Sequence, residues 1–260
     1  MQMLNLGCGS KFHKDWLNMD MASDSPEVKI ANFLKGIPLP DASMDVVYHS
    51  HVLEHFSRKD GANLIAHCSR VLKPGGIIRI ALPNLEVIVR EYLSNMEKAL
   101  EGDTAAAANY DWIMLEMYDQ TIRNTSGGEM GQWLFQEKIP NEAFILKRVG
   151  TDILKWRENQ KLNKPKRITW QAIKRKIRKT FPKLMPGSIR TPLEIGQFRL
   201  GGEIHQWMYD RFSLKRLLEQ HGFHQVVQRT ATTSYLSHWA DYGLDNPTES
   251  ASLFMEAIKK

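Results

Sequence analysis

Two glycines, an acid and a group of imidazoles have the residue types and spacing that could do chemistry in this chain. Gly7-Cys8-Gly9 ends a short apolar run from Met3 to Leu6, and a second apolar run, Trp16 to Met19, ends on Asp20. The order is strand, glycine turn, strand, acid. Glycine lets the backbone turn sharply and lets a ligand lie against main-chain N–H groups with no Cβ in the way. An acid at the end of the second strand can accept hydrogen bonds from both hydroxyls of a ribose. Gly7, Cys8, Gly9 and Asp20 therefore read as a nucleoside site. Ten residues separate Gly9 from Asp20, and Lys11 and Phe12 stand where a third glycine of a dinucleotide fingerprint would fall. That leaves room for a turn or two of helix, not for a full crossover helix holding a pyrophosphate on its N-terminus.

The imidazoles follow a third and a fourth run. Val28 to Ala31 reads as a strand leading to Asn32-Phe33, and Met44 to Tyr48 as another, followed by His49-Ser50-His51-Val52-Leu53-Glu54-His55. Residues at the carboxyl end of a parallel strand sit where open α/β sheets bind ligands. His51 is the first candidate to face a substrate, as a general base or a positioning hydrogen bond; the alternative is a histidine that supports the loop. Glu54 and His55 read as residues that fix that loop. His205, in Glu203 to Asp210, is the second candidate base, with Trp207 or Tyr209 as a substrate wall; the alternative is a loop packed for stability. Trp239, Asp241 and Tyr242 could also rim the site.

At LNLGCGS and at PLPDASMDVVYHSHVLEHF the sequence resembles the class I S-adenosylmethionine-dependent methyltransferases, whose first motif commonly reads D-L-G-C-G-x-G. Asn5 stands in place of the acid, and Lys11 in place of the third glycine. The cofactor implied is S-adenosylmethionine, which carries no phosphate and so needs no strong anion hole. The resemblance places Gly7, Cys8, Gly9, Asp20, His49 and Ser50 at the cofactor, Asn32 at the adenine edge and Phe33 on the ring. Asn32 and Phe33 also read as a polar loop residue beside a core Phe.

The elements that position these residues alternate. Ser57 to Asp60 has capping-box spacing, Leu64, Ile65, Cys68, Val71 and Leu72 recur at helical spacing, and Ile77 to Leu82 is a nearly all-apolar fifth strand. Near the end, Ser213 is a plausible N-cap, Gly222 closes a helix, and Phe223 to Arg229 and Ser252 to Ile258 read as strands. The expected fold is α/β: a doubly wound, seven-stranded, mostly parallel sheet of Rossmann-like methyltransferase type, with the last strand antiparallel. The core comprises residues 1–83 and 204–260, and residues 84–203 form a helical insertion beside the pocket that could act as its lid. Leu85 to Leu100 and Tyr110 to Ile122 carry helical stripes, with further helical texture from Glu142 to Glu158.

Charge singles out one segment. Residues 161–183 hold ten of the 35 Lys and Arg and no Asp or Glu, leaving 25 basic against 29 acidic residues elsewhere in a chain of net charge +6. Within 165–183 an apolar stripe faces a basic one. Such a helix suits an anionic membrane surface, the phosphates of nucleic acid, or plain solvent above an apolar docking stripe. Nucleic acid is the less favoured partner, and the sequence leaves oligomeric state undetermined. No apolar run approaches eighteen residues and no signal-peptide pattern opens the chain, so a cytoplasmic protein is expected, peripheral to the inner face of the membrane if the basic helix binds there. Two cysteines, Cys8 and Cys68, give neither metal spacing nor a disulfide framework.

The activity the resemblance implies is methyl transfer, an in-line displacement that demands alignment above all. An alcohol nucleophile also needs its proton removed, for which a near-neutral histidine is suited. The expected acceptor is an oxygen of a small molecule or of a sugar in a glycan, with His51 or His205 as base and no metal assigned. The competing reading is a non-catalytic binding module with a vestigial nucleoside site and a recruiting basic helix. An NAD-dependent oxidoreductase is disfavoured by the short first connection.

Overall fold

The computed structural model describes residues 1–151, 153, 154, 157 and 187–260, so the basic segment 161–183 lies outside the described residues. Seven strands form one sheet: β1 (Met3–Leu6), β2 (Leu17–Asp20), β3 (Val28–Ile30), β4 (Met44–Ser50), β5 (Leu72–Pro83), β6 (Phe223–Arg229) and β7 (Ser252–Lys259). Their spatial order is β3-β2-β1-β4-β5-β7-β6; β1 to β5 run parallel and β7 runs antiparallel to both β5 and β6. The seven-stranded, mostly parallel sheet is thus present, with β7 the antiparallel strand.

Period-two alternation gives the sheet two unlike faces. Leu4, Leu6, Val47, Ile78, Ile80, Leu253 and Met255 point to a core closed by α1 (Arg58–Val71) and α7 (Arg211–Gln220). Met3, Val46 and Tyr48 point the other way and are covered by Trp16, just before β2, and by Leu236, Trp239 and Leu244 of an aromatic loop between β6 and β7. That loop is clamped from below. Arg79, buried in β5, donates from Nε and Nη2 to Asp245 Oδ2 at 2.9 and 2.6 Å and from Nη1 to Glu256 Oε1 at 2.9 Å. Its remaining hydrogens reach the carbonyls of Thr230 and Thr233. A buried guanidinium with every donor engaged holds the loop over the sheet edge where β1 and β4 end.

Local chemistry sets the helix ends, with one correction. Ser57 caps α1 through Asp60 N as expected. In α7 the cap is Asp210, not Ser213: Asp210 accepts from Ser213 N, and Ser213 Oγ accepts from Asp210 N, a reciprocal box one turn long. Between β5 and α7 run α2 (Leu85–Leu100), α3 (Thr104–Ile122), α4 (Gly128–Leu134), α5 (Glu142–Val149) and α6 (Gly187–Arg199). Gly150 stops α5 well short of Glu158, with φ at +78°. Ile88, Trp112, Ile113, Leu134 and Ile145 make a second hydrophobic core among these helices. The excursion begins and ends at one place, because Asn84 bridges Tyr209 and Leu85 N donates to the Tyr209 carbonyl.

Candidate active site

The glycine turn is built by the residues it touches. Gly7 and Gly9 both have left-handed backbones, with φ at +63° and +54°. A Cβ on Gly7 would lie 2.3 Å from Val52 Cγ2, whereas a Cβ on Gly9 would meet nothing within 4 Å. The first glycine is needed for packing, and the second leaves open space beside the loop. The loop N–H groups point inward: Gly7 N and Cys8 N donate to the Met19 carbonyl, and Gly9 N donates to Asp20 Oδ2 at 2.8 Å. No helix forms between β1 and β2. With these N–H groups engaged and no helix N-terminus, the turn does not make a phosphate cradle. It fits a phosphate-free nucleoside, with Asp20, fixed by Gly9 N and Ala22 N, still offering lone pairs.

A cavity of about 280 Å³ opens beside the turn, lined by Asn5, Gly7, Cys8, Gly9, Tyr48, Ser50, His51, Glu249 and Ser252 among others. A second, of about 490 Å³, shares Ser10, Lys11, Leu244, Asp245 and Asn246 with it and extends to Trp239 and Tyr242. Asn5 is buried, its Nδ2 donating to Asn18 Oδ1 and the Lys11 carbonyl. Burial pushes the Cys8 thiol up to about 11, with Asp20 adding to the shift, so it lines the cavity as a neutral group.

His51 stands at the cavity with a left-handed backbone, φ +53°, and a side chain 40% exposed. Its Nδ1 lies 3.2 Å from Glu54 Oε1, and its Nε2 lies 3.2 Å from Ser252 Oγ and 3.5 Å from Glu249 Oε1. Desolvation opposes charge on the ring, but the Glu249 and Glu54 carboxylates prevail and raise it to about 10. His51 is therefore an imidazolium at neutral pH, a donor with no lone pair to offer. Of the two roles expected for His51, this charge favours positioning over proton abstraction.

The other expected positions lie as follows. His49 is fully buried on the opposite sheet face from Tyr48 and Ser50, because one residue along a strand reverses the side chain; burial pushes its ring down to about 4 against the pull of Glu54. Phe33 is part of the main core at 3% exposure, while Asn32 is exposed. His205 is buried and does not line the cavity; its ring packs edge-on against His55 at 4.9 Å. Burial lowers it to about 4, with Glu54 acting the other way. Glu54 is shared: its Oε1 faces His51, and a carboxylate oxygen lies within 4.8 Å of ring nitrogens of His55 and His205. Asp241 is exposed, while Trp239 and Tyr242 line the outer cavity. Trp207 and Tyr209 line a separate surface cleft with Arg58.

Glu249 and Ser252 carry no motif, and only the β7 register could have suggested Ser252. The joining of Glu54, His55 and His205 was not legible either, since His205 reaches the turn across about 150 residues of excursion.

Residues 4–80 match the methyltransferase domain family. Over that segment the match supports the resemblance to class I S-adenosylmethionine-dependent methyltransferases, a family whose cofactor is S-adenosylmethionine. A probable S-adenosylmethionine-dependent methyltransferase of Mycolicibacterium smegmatis is 35% identical over 100 residues, covering 32% of this chain and 38% of that one. One from Mycobacterium tuberculosis is 31% identical over 99 residues, covering 32% and 35%. The chain thus spans little more than a third of the length of these relatives. A SAM-dependent methyltransferase structure from Archaeoglobus fulgidus aligns with a TM-score of 0.40 at 13% identity, over 99% of this chain and 86% of that one. Among the described residues no helix is long and apolar enough to cross a membrane.

Proposed function

We propose that this chain transfers a methyl group from S-adenosylmethionine to an oxygen of a small molecule or of a sugar in a glycan. The observation that carries the reading is the glycine turn, whose N–H groups are engaged by β2 and Asp20 while Gly9 opens onto a cavity walled by hydrogen-bonding side chains. When bound, the cofactor supplies an electrophilic methyl on a sulfonium. Asp20 would hold the ribose hydroxyls, Gly9 would give the nucleoside close approach, and Ser50 and Cys8 would wall it. Holding the acceptor in line contributes on the order of 7–11 kcal/mol when the geometry is right.

The role proposed for His51 is to hold Glu249 at the cavity wall, as an imidazolium whose Nδ1 is taken by Glu54 and whose Nε2 is taken by Glu249 and Ser252. Glu249, with its carboxylate beside Ser252, is then the acceptor-side group able to take a proton. His205 acts at a distance, through Glu54. The two sheet-forming segments, 1–83 and 204–260, form the catalytic core in this reading, and 84–203 form an insertion beside it.

The test is transfer of label from S-[methyl-³H]adenosylmethionine to a panel of free sugars, glycans, alcohols and amines. Label in a base-stable ether on a hydroxyl acceptor, reduced at least about tenfold by His51→Ala, supports the reading. Label entering amines only would move the chemistry to nitrogen.

A further inference from the structure

Glu54, His55 and His205 each offer one ligand atom, and those atoms lie within 4.8 Å of one another. The group sits where the chain returns from the helical excursion: Gln206 N donates to the Glu54 carbonyl at 2.7 Å, Gln206 Nε2 to the His55 carbonyl at 2.9 Å, and His205 N to the Gln120 carbonyl at 2.8 Å. Backbone bonds therefore fix all three residues on rigid neighbours.

Two further observations point to a ligand. Glu54 is 1% exposed, and its Oε2 has no hydrogen-bond partner, while Oε1 takes His51. An orphaned carboxylate oxygen at that depth calls for a partner. The second observation concerns tautomer. His55 Nδ1 lies 3.2 Å from the Ile204 carbonyl. A carbonyl only accepts, so Nδ1 carries the proton and Nε2 is left with its lone pair. That arrangement, an imidazole oriented by donating to a backbone carbonyl, is the usual outer support of a metal-ligating histidine.

We infer that Glu54, His55 and His205 bind a divalent transition-metal ion of the zinc class, pinning the returning segment 204–207 to the turn that carries His51. Two imidazole nitrogens and one carboxylate oxygen select such an ion over magnesium or calcium, which prefer oxygen ligands. Three protein ligands leave a position for water. The nearby guanidinium of Arg123 does not oppose the ion with an uncompensated charge, because it is paired with Asp119 and Glu203. The site is one carboxylate away from the cavity but independent of how the cofactor is held.

The test uses the full chain, stripped with a chelator and titrated with Co²⁺ while its visible d–d absorption is followed, then back-titrated with Zn²⁺. One saturable equivalent, displaced by Zn²⁺ and weakened about a hundredfold or more in His205→Ala and in Glu54→Gln, is the expected result; the outward His238→Ala should bind as wild type. If a variant does not fold, histidine ring ¹⁵N spectra of the wild-type protein carry the test, since Zn²⁺ should shift His55 and His205 most, His51 less through Glu54, and leave the other six of its nine histidines in place. Absence of a saturable equivalent in the folded wild type, or undiminished binding in the variants, would overturn the inference and leave a buried water as the partner of Oε2.

Discussion

Replacing each glycine of the turn by alanine should have opposite consequences. Both positions have a positive φ, so either alanine carries a left-handed penalty of about 1–2 kcal/mol. At Gly7 the new methyl would also lie 2.3 Å from Val52 Cγ2 and 3.4 Å from Cγ1, an overpacking of a buried site that adds about 1–3 kcal/mol. Gly7→Ala should therefore lose about 2–5 kcal/mol, a large part of the roughly 5–15 kcal/mol of a typical domain. Gly9→Ala should lose only the backbone part, because nothing lies within 4 Å of its Cβ. Urea unfolding of the two variants measures this directly, and a cycle with Val52→Ala isolates the clash. In that background Gly7→Ala should become about 1–3 kcal/mol less damaging, since both γ-methyls are gone. Cofactor affinity should show the reverse ranking among folded molecules. Gly9→Ala fills the space assigned to the nucleoside and should weaken S-adenosylmethionine by at least about tenfold, or about 1.4 kcal/mol. Equal unfolding losses at the two glycines, or unaltered cofactor binding by Gly9→Ala, would refute the division of roles.

Other expectations follow from the charged groups. The folded pKa of His51 is raised, so its stabilisation is full below the ordinary histidine pKa of 6.5 and is lost as pH climbs to about 10. The unfolding difference between wild type and His51→Gln should shrink across that window, and a difference constant from pH 6 to 10 would contradict the assigned charge. Arg79→Met should strand the buried carboxylates of Asp245 and Glu256 and lower stability by about 3–5 kcal/mol in urea; a loss below about 1 kcal/mol would remove the clamp from the account. Deleting residues 165–183 should abolish sedimentation with anionic liposomes at low salt while leaving S-adenosylmethionine binding in place. If the intact chain does not sediment, the membrane reading ends.

The sheet was legible because its signals are local. Glycine punctuation after Leu6, an acid at Asp20 and an apolar run at Ile77 to Leu82 each fix an element without reference to distant residues. The first helix of the excursion was legible for the same reason, down to its first and last turns at Leu85–Leu100, whereas α3 begins at Thr104, ahead of the expected Tyr110, and α4 and α6 were not read. The site was legible only in its first half. Alternation along β4 decides that Ser50, not His49, reaches the cavity, and that depends on which sheet face is covered by an aromatic loop rather than by helices. The charge of His51 depends on Glu249, which approaches it from a loop before β7. The meeting of His205 with Glu54 and His55 requires the closure of the whole excursion at Asn84 and Tyr209. In each case the missing information is a long-range contact.

Calorimetric titration of the purified chain with S-adenosylmethionine, S-adenosylhomocysteine and NAD, repeated on Asp20→Ala, tests the central claim most directly. The account predicts binding of the first two, no binding of NAD, and loss of both in the variant, since Asp20 fixes Gly9 and, in the proposed reading, would hold the ribose. Binding of NAD, or S-adenosylmethionine binding unaffected by Asp20→Ala, would contradict it.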